Sequence, residues 1–330
     1  MSGKVGDNTG IQSGVVTSAG AGIESLSSDP SAEHGKVWFN STTSLLKVYN
    51  NAVTWSSGGN LAAVRDNICG NNGTQTACFV SCGSDGSSNY NTTEEYNGST
   101  WGSGGNAADQ KNTVGTCGTL TAGLLWAGWT GSAQNKTEEY NGTGYTTSSG
   151  TLANAVYAPG GTGTQTAGLS VGGTNNSTRF ASAEEYDGTS WADGGDLGAA
   201  QQSVCIVGTL TAALAAGGYS GSALNTAYEY DGTNWTSVTA QSESKYASIG
   251  FGIQTAGIIC GGNTGSNVST VQKWNGSAWS TATSLSAARR EGTGAGTQAA
   301  GFVAGGFTSS ATNTTEESTE ALTAQTITNS

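Results

Sequence analysis

Gly163-Thr164-Gln165-Thr166-Ala167, a short apolar run to Gly172-Gly173, and then Ala183-Glu184-Glu185-Tyr186-Asp187-Gly188-Thr189-Ser190-Trp191 make up a phrase that the chain repeats. Its opening, or a variant of it, stands at Gly73, Gly118, Gly163, Gly208, Gly252 and Gly296, spaced 45, 45, 45, 44 and 44 residues apart. Each copy runs on to a Gly doublet or its relic: Cys82-Gly83, Ala127-Gly128, Gly172-Gly173, Gly217-Gly218, Gly261-Gly262 and Gly305-Gly306. A polar loop follows, then a strand-like segment ending at Tyr96, Tyr140, Tyr186, Tyr230 or Trp274. Asn-Gly or Asp-Gly comes next, and an aromatic at Trp101, Tyr145, Trp191, Trp235 or Trp279 closes the unit. Several features holding one register over so many residues identify a repeat architecture.

Each unit reads as four strands. In the fourth, Ser203–Val207 is strand a, Gly208–Thr211 reverses the chain, and Ala212–Ala216 is strand b. Thr226–Tyr230 is strand c, Asp231-Gly232 a two-residue hairpin turn, and Trp235–Val238 strand d. The Gly doublet is expected to let neighbouring strands approach without Cβ atoms. One such sheet is too small to stand alone; stacked copies bury the aromatics between them, and radial closure removes the free edges.

The expected fold is therefore all-β: a six-bladed β-propeller of four-stranded antiparallel blades over 35–320. The sixth unit has a c strand at Thr314–Ser318 but no d strand of its own, whereas the strand at Trp55 lacks a preceding a–b pair. Joining them predicts a velcro closure by both termini, with the 36–50 hairpin left over. Residues 1–34 carry no repeat feature and read as an arm, and 321–330 as a surface tail.

Composition agrees. Glycine is 53 of 330 residues and proline only 2, while nine Trp and eleven Tyr are too many for a disordered chain. Eleven Lys and Arg against 23 Asp and Glu leave a net charge of −12, which argues against binding nucleic acid or an anionic membrane surface. No apolar stretch has the length of a signal peptide or a membrane span. Cys69, Cys78, Cys82, Cys117, Cys205 and Cys260 share no repeat position and read as reduced core thiols of a protein made in a reducing cytosol, Cys78 and Cys82 alone being near enough in sequence to suggest a pair. The Asn-x-Ser/Thr triplets follow from an Asn- and Thr-rich composition.

A Gly doublet ending strand b, a Tyr ending strand c and a Trp opening strand d resemble the Kelch repeat over about Gly35 to Glu320, which implies a propeller rather than any activity. The wording G-T-Q-T-A with T-E-E-Y-N-G-[ST]-x-W also resembles Kelch-like structural proteins of tailed bacteriophages, particularly of marine and cyanobacterial hosts. Gly35–Asn40 followed by Leu46–Asn50 resembles a short hairpin of phage tail-fibre proteins.

Enzymatic readings of such a propeller find few residues. A Kelch copper oxidase needs two histidines and a Cys–Tyr pair, and this chain has only His34. A sialidase-type site needs three convergent arginines; Arg65, Arg179, Arg289 and Arg290 are the whole supply and sit scattered along the repeat. Asp187-Gly188-Thr189-Ser190-Trp191 is a hairpin turn rather than an Asp-box. The carboxyl pairs Glu94/Glu95, Glu138/Glu139, Glu184/Glu185 and Glu316/Glu317 would suit glycosidase chemistry, yet they recur unit by unit, which marks a scaffold role with one Glu of each pair solvated. No catalytic residue, metal site or cofactor is expected.

Binding is expected where the copies differ. The residue after the Gly doublet is Trp129, Tyr219 or Phe307 in alternate units and Ser84, Thr174 or Asn263 in the others. All six fall in b–c loops on one face, where rings beside amides and hydroxyls suit carbohydrate; Trp126, inside strand b, reads as packing. The expected protein is a virion tail fibre or tail-associated adhesin, present in multiple copies, bound to other virion proteins by residues 1–34 and to a host-surface polysaccharide by the propeller. A capsid decoration and a glycan-active enzyme are the alternatives.

Overall fold

The structure, a computed structural model, describes residues 23–68 and 70–327, which fold as two compact units. The larger, Val53–Glu320, is all β and contains no helix among its described residues. Its repeated element is a four-stranded antiparallel sheet, as in Gly160–Thr164, Ala167–Val171, Ala183–Tyr186 and Trp191–Asp193. Strand b is buried on both sides apart from its first residue, so it reads as a continuous apolar run rather than an alternation. Each strand-c aromatic packs on the aromatic that opens strand d, Tyr230 on Trp235 at 4.7 Å for example. Between sheets the core is aliphatic and aromatic, with Trp126 wholly buried against its neighbours and bonded through Nε1 to Ser170 at 2.9 Å. These sheets make the larger unit a β-propeller.

Strand a begins later than its sequence suggests. In the fourth repeat it is Cys205–Thr209, and the reversal takes only two residues. Gly208 lies inside the strand at φ 115°, where a Cβ would stand 2.2 Å from the Ala212 carbonyl oxygen. The turn between strands c and d also differs from a two-residue hairpin. Tyr230 pairs with Trp235 across four residues, and Asp231 Oδ1 accepts bonds from the amides of Thr233 and Asn234. The side chain does the turning there, with Gly232 at φ 90°.

A residue shortly before strand a takes the left-handed conformation in every repeat: Asn67 four residues ahead of it, and Thr113, Ala158, Ser203, Ala247 and Glu291 two ahead, at φ between 50° and 58°. Each passes a main-chain bond to the next. Thr113 N donates to Asn67 O at 2.8 Å, Ala158 N to Thr113 O at 2.8 Å, and Ser203 N to Ala158 O at 2.9 Å. Ala247 N donates to Ser203 O and Glu291 N to Ala247 O, both at 2.9 Å, and Ile68 N then donates to Glu291 O at 3.2 Å. The circuit ends beside the residue where it began. A second circuit uses the doublet glycines: the Gly83, Gly128, Gly173, Gly218, Gly262 and Gly306 amides donate to the carbonyls of Lys111, Val156, Gln201, Lys245, Arg289 and Arg65. The doublets thus turn the chain out of strand b and join one sheet to the next; they do not serve close approach within a sheet.

In the sixth repeat Thr293–Thr297 pairs with Ala300–Ala304, which pairs with Thr315–Thr326, and Leu45–Ser57 is next in that sheet. Gly58 N donates to Thr315 O at 3.0 Å and Thr54 Oγ1 to Thr319 O at 3.2 Å. Asn71–Thr74, strand a of the first repeat, runs parallel between Thr293–Thr297 and Gly115–Thr119.

The smaller unit gathers the described parts of 1–52 and 321–330. Val37–Asn40 pairs with the start of Leu45–Ser57, and Glu24–Leu26 lies parallel to it. Trp38 is buried on Tyr49 at 4.7 Å, Lys47 pairs with Asp29 at 2.9 Å, and Ile327 N donates to Leu46 O at 2.8 Å. The 36–50 hairpin therefore groups with this unit and not with the propeller, and the stretch expected to be a tail continues as strand to Thr326. Of the expected arm 1–34, residues 1–22 lie outside the described ones.

A left-handed alanine carries a steric penalty of about 1–2 kcal/mol that glycine escapes. Ala247→Gly is expected to leave stability unchanged or raise it by about 0.5 kcal/mol once glycine's extra chain entropy is counted, and Ala247→Val to lower it by about 2 kcal/mol. Urea unfolding checks both; equal losses for the two would show that the conformation is not what the position demands.

Candidate functional site

The carboxyl pairs are structural at both positions. Glu94, Glu138 and Glu316 are buried and bind Arg65, Lys111 and Arg289, each at 2.7 Å, so Arg65 and Arg289 occupy equivalent repeat positions rather than scattered ones. Glu184 is buried too, without such a cation, and burial raises its pKa. The second Glu of each pair is not solvated as expected. Glu139 accepts the Tyr186 hydroxyl at 2.8 Å, Glu185 that of Tyr230 at 2.5 Å, and Glu229 the Trp274 Nε1–H at 3.1 Å. Glu95 accepts Tyr140 and Glu317 accepts Tyr96 in the same way. Each bond links strand c of one repeat to strand c of the next. Burial first, and the carboxylate after it, pushes the Tyr96, Tyr140 and Tyr230 hydroxyls up to about 12.

The fifth repeat keeps the cation and lacks the carboxylate. Lys245 stands where Lys111 stands, but Gln272 replaces the glutamate, and both Lys245 Nζ and Gln272 Oε1 are buried without a hydrogen-bond partner. Burial lowers the Lys245 pKa. Cys78, Cys82, Cys117 and Cys260 are buried thiols whose pKa burial raises, and Cys78 and Cys82 do not pair; Cys69 lies outside the described residues. Among the described residues no His, Cys, Asp and Glu cluster could hold a metal ion, and His34 is exposed.

The b–c loops are the remaining candidate. Ser84, Trp129, Thr174, Tyr219, Asn263 and Phe307 occupy one backbone environment, each bridging to the segment before strand a and to a residue further along its own loop. Their side chains divide into two sets. Ser84, Thr174 and Asn263 are buried and spend their polar groups on their own loops: Ser84 Oγ accepts Gly86 N, Thr174 Oγ1 donates to Thr178 O, and Asn263 Oδ1 accepts Gly265 N. They shape the loops rather than offer contacts.

Trp129, Tyr219 and Phe307 are half-buried and belong to none of the core clusters. Trp129 meets Tyr157 edge-on at 5.1 Å, Tyr219 lies 5.0 Å from Tyr246, and the Arg290 guanidinium covers Phe307 at 4.4 Å. The Arg179 guanidinium lies over the Tyr219 ring, 5.0 Å from its centroid. An open cleft of about 400 Å³ is lined by Tyr219, Tyr246, Asn263, Thr264 and Arg290. Towards the axis the inner strands leave only about 30 Å³, room for water but not for an organic ligand. Buried Asp66 and half-buried Glu291 stand near Arg290, both with pKa raised by desolvation; Asp66 accepts from Asn67 at 2.7 Å and Glu291 from Arg290 at 3.1 Å. Tyr157 and Tyr246 are residues that sequence reasoning missed, and Arg290 it counted only as one of four scattered arginines. All three stand six residues ahead of a repeat glycine, so the register could have found them.

No protein-family model matches the chain, and no curated protein does. Among solved structures, one described as "Structure of YjhT", a Kelch-like β-propeller protein, is similar with a TM-score of 0.66 and 10% identity, covering 81% of this chain and 99% of that one. At that identity the likeness shows the fold alone, which is that of a β-propeller.

Two measurements follow from the ladder. Gln272→Glu is expected to give Lys245 a buried partner and raise stability by about 1–3 kcal/mol at pH 7; an unchanged or lower melting temperature would refute the equivalence with Lys111 and Glu138. The tyrosine hydroxyls are raised above their ordinary 10.0 in the folded chain, so their contribution is complete below pH 10 and is lost as pH climbs towards 12. Thermal melts across that window should fall, and Tyr140→Phe should lessen the fall.

Proposed function

We propose that this chain is a non-enzymatic bacteriophage virion protein, a tail fibre or tail-associated adhesin whose propeller binds a host-surface glycan through its b–c loop face. The observation that carries the binding reading is the set of aromatic contacts on that face, Trp129 with Tyr157 and Tyr219 with Tyr246, both outside the core clusters and the second lining an open cleft. A ring packs on the apolar C–H face of a sugar while neighbouring amides and hydroxyls bond its OH groups. The virion reading rests on the repeat wording and on the Gly35–Asn50 hairpin. In it, residues 1–34 attach the protein to other virion proteins and several copies decorate each particle.

The propeller in this reading has six Kelch-like blades, the last completed by strands from both ends of the larger unit. Two closed circuits of main-chain hydrogen bonds support that count, as does the place of Leu45–Ser57 beside Thr315–Thr326.

Gold-labelled antibody against the propeller, applied to intact particles, tests the assignment. Label at the tail is the expected result. Label at head vertices would overturn the adhesin reading in favour of a decoration protein, and unlabelled particles would overturn the virion reading. Deletion of residues 1–34 should abolish incorporation while circular dichroism still reports the folded propeller; a truncated chain that still assembles disproves the attachment.

A further inference from the structure

We propose that the b–c face carries three equivalent saccharide sites, at Trp129, Tyr219 and Phe307, so that one chain holds three copies of the same uncharged sugar unit. This rests on reading that face as glycan-binding and adds valency and ligand class to it.

The three loops are copies in sequence and in conformation. Trp129-Thr130-Gly131-Ser132-Ala133, Tyr219-Ser220-Gly221-Ser222-Ala223 and Phe307-Thr308-Ser309-Ser310-Ala311 share an aromatic head, a Ser/Thr and a closing Ser-Ala. In each the aromatic bridges to the alanine, and the amide after the aromatic donates to the carbonyl of the closing serine. Two residues beyond each alanine an asparagine, Asn135, Asn225 or Asn313, donates to the carbonyl of Leu152, Gln241 or Leu61. The loop of the preceding repeat reaches each aromatic as well: Asn89 Nδ2 donates to Trp129 O, Arg179 lies against Tyr219, and Asn267 Nδ2 donates to Phe307 O. A Cβ on Gly131 or Gly221 would meet nothing within 4 Å, so these loop tips stand clear of the fold.

The intervening repeats cannot supply a site of this kind. Their head residues, Ser84, Thr174 and Asn263, have no ring and are buried. Aromatic heads therefore recur at every second repeat. The ligand class follows from what the three share. Tyr157 and Asn89, which frame Trp129, are uncharged, so a ligand common to all three cannot depend on the guanidinium groups beside Tyr219 and Phe307. The net charge of −12 also disfavours an anionic polymer.

The full chain is applied to an array of neutral and acidic oligosaccharides, and the methyl glycoside of the retained terminal sugar is then titrated into labelled full chain and followed by amide NMR. Retention of neutral glycans is expected, with Thr130–Ala133, Ser220–Ala223 and Thr308–Ala311 shifting along curves of similar midpoint. Trp129→Ala, Tyr219→Ala and Phe307→Ala should each silence their own loop, leave the other two responsive, and keep the spectrum of a folded protein. Shifts confined to one loop, or one substitution that silences all three, would overturn the trivalent arrangement while leaving glycan binding intact. Retention of acidic glycans alone would overturn the ligand class. No retention would overturn the glycan-binding reading itself.

Discussion

The larger unit depends on a main-chain hydrogen bond made by residues that no side-chain chemistry selects. Asn67, Thr113, Ala158, Ser203, Ala247 and Glu291 differ in size, polarity and charge, yet each holds φ near 55° and hands an amide or a carbonyl to the neighbouring repeat. Left-handed backbone is unfavourable for such residues and persists only where the surroundings over-determine it. Here the return is a bond that joins sheets rather than strands within a sheet. The last bond of the circuit is its longest and comes from Ile68 instead of Asn67, so the junction of first and last repeats is the one place where the register slips by a residue.

Outside that circuit, side chains repeat the same linkage with increasing freedom. The carboxylate-to-aromatic bonds from Glu95 to Tyr140 and from Glu185 to Tyr230 keep one geometry, and Glu229 accepts the same bond from a tryptophan instead. Buried cations facing the first Glu are arginine in two repeats and lysine in another. The loops beyond the doublets diverge most. Distance from the main-chain circuit thus grades the chain from invariant conformation to variable surface, which is why the candidate contacts lie at the loop heads.

Side-chain patterns that repeat were legible in the sequence; conformations that repeat without them were not. The strand-c tyrosines and strand-d tryptophans announced the sheets because their packing needs those residue types. The left-handed residues stayed hidden, since a main-chain bond accepts Ala158 as readily as Glu291. Gly208 looked like a turn residue because glycine serves turns and bulges alike, and only the pairing of Thr209 with Ala212 distinguishes the two. At the loop heads, Trp129 and Ser84 share a repeat position and a backbone environment but not a side-chain one, for a small polar group folds back into its loop where an indole cannot. Tyr157 and Tyr246 escaped notice because their contacts come from the preceding repeat, 28 and 27 residues upstream.

Thr54 and Thr319 touch across adjacent strands, so the chain enters and leaves the larger unit at a single doorway. A unit with one doorway interrupts its host polypeptide hardly more than a tight loop does. It can be grafted into, or hung from, a carrier protein without that carrier having to span it.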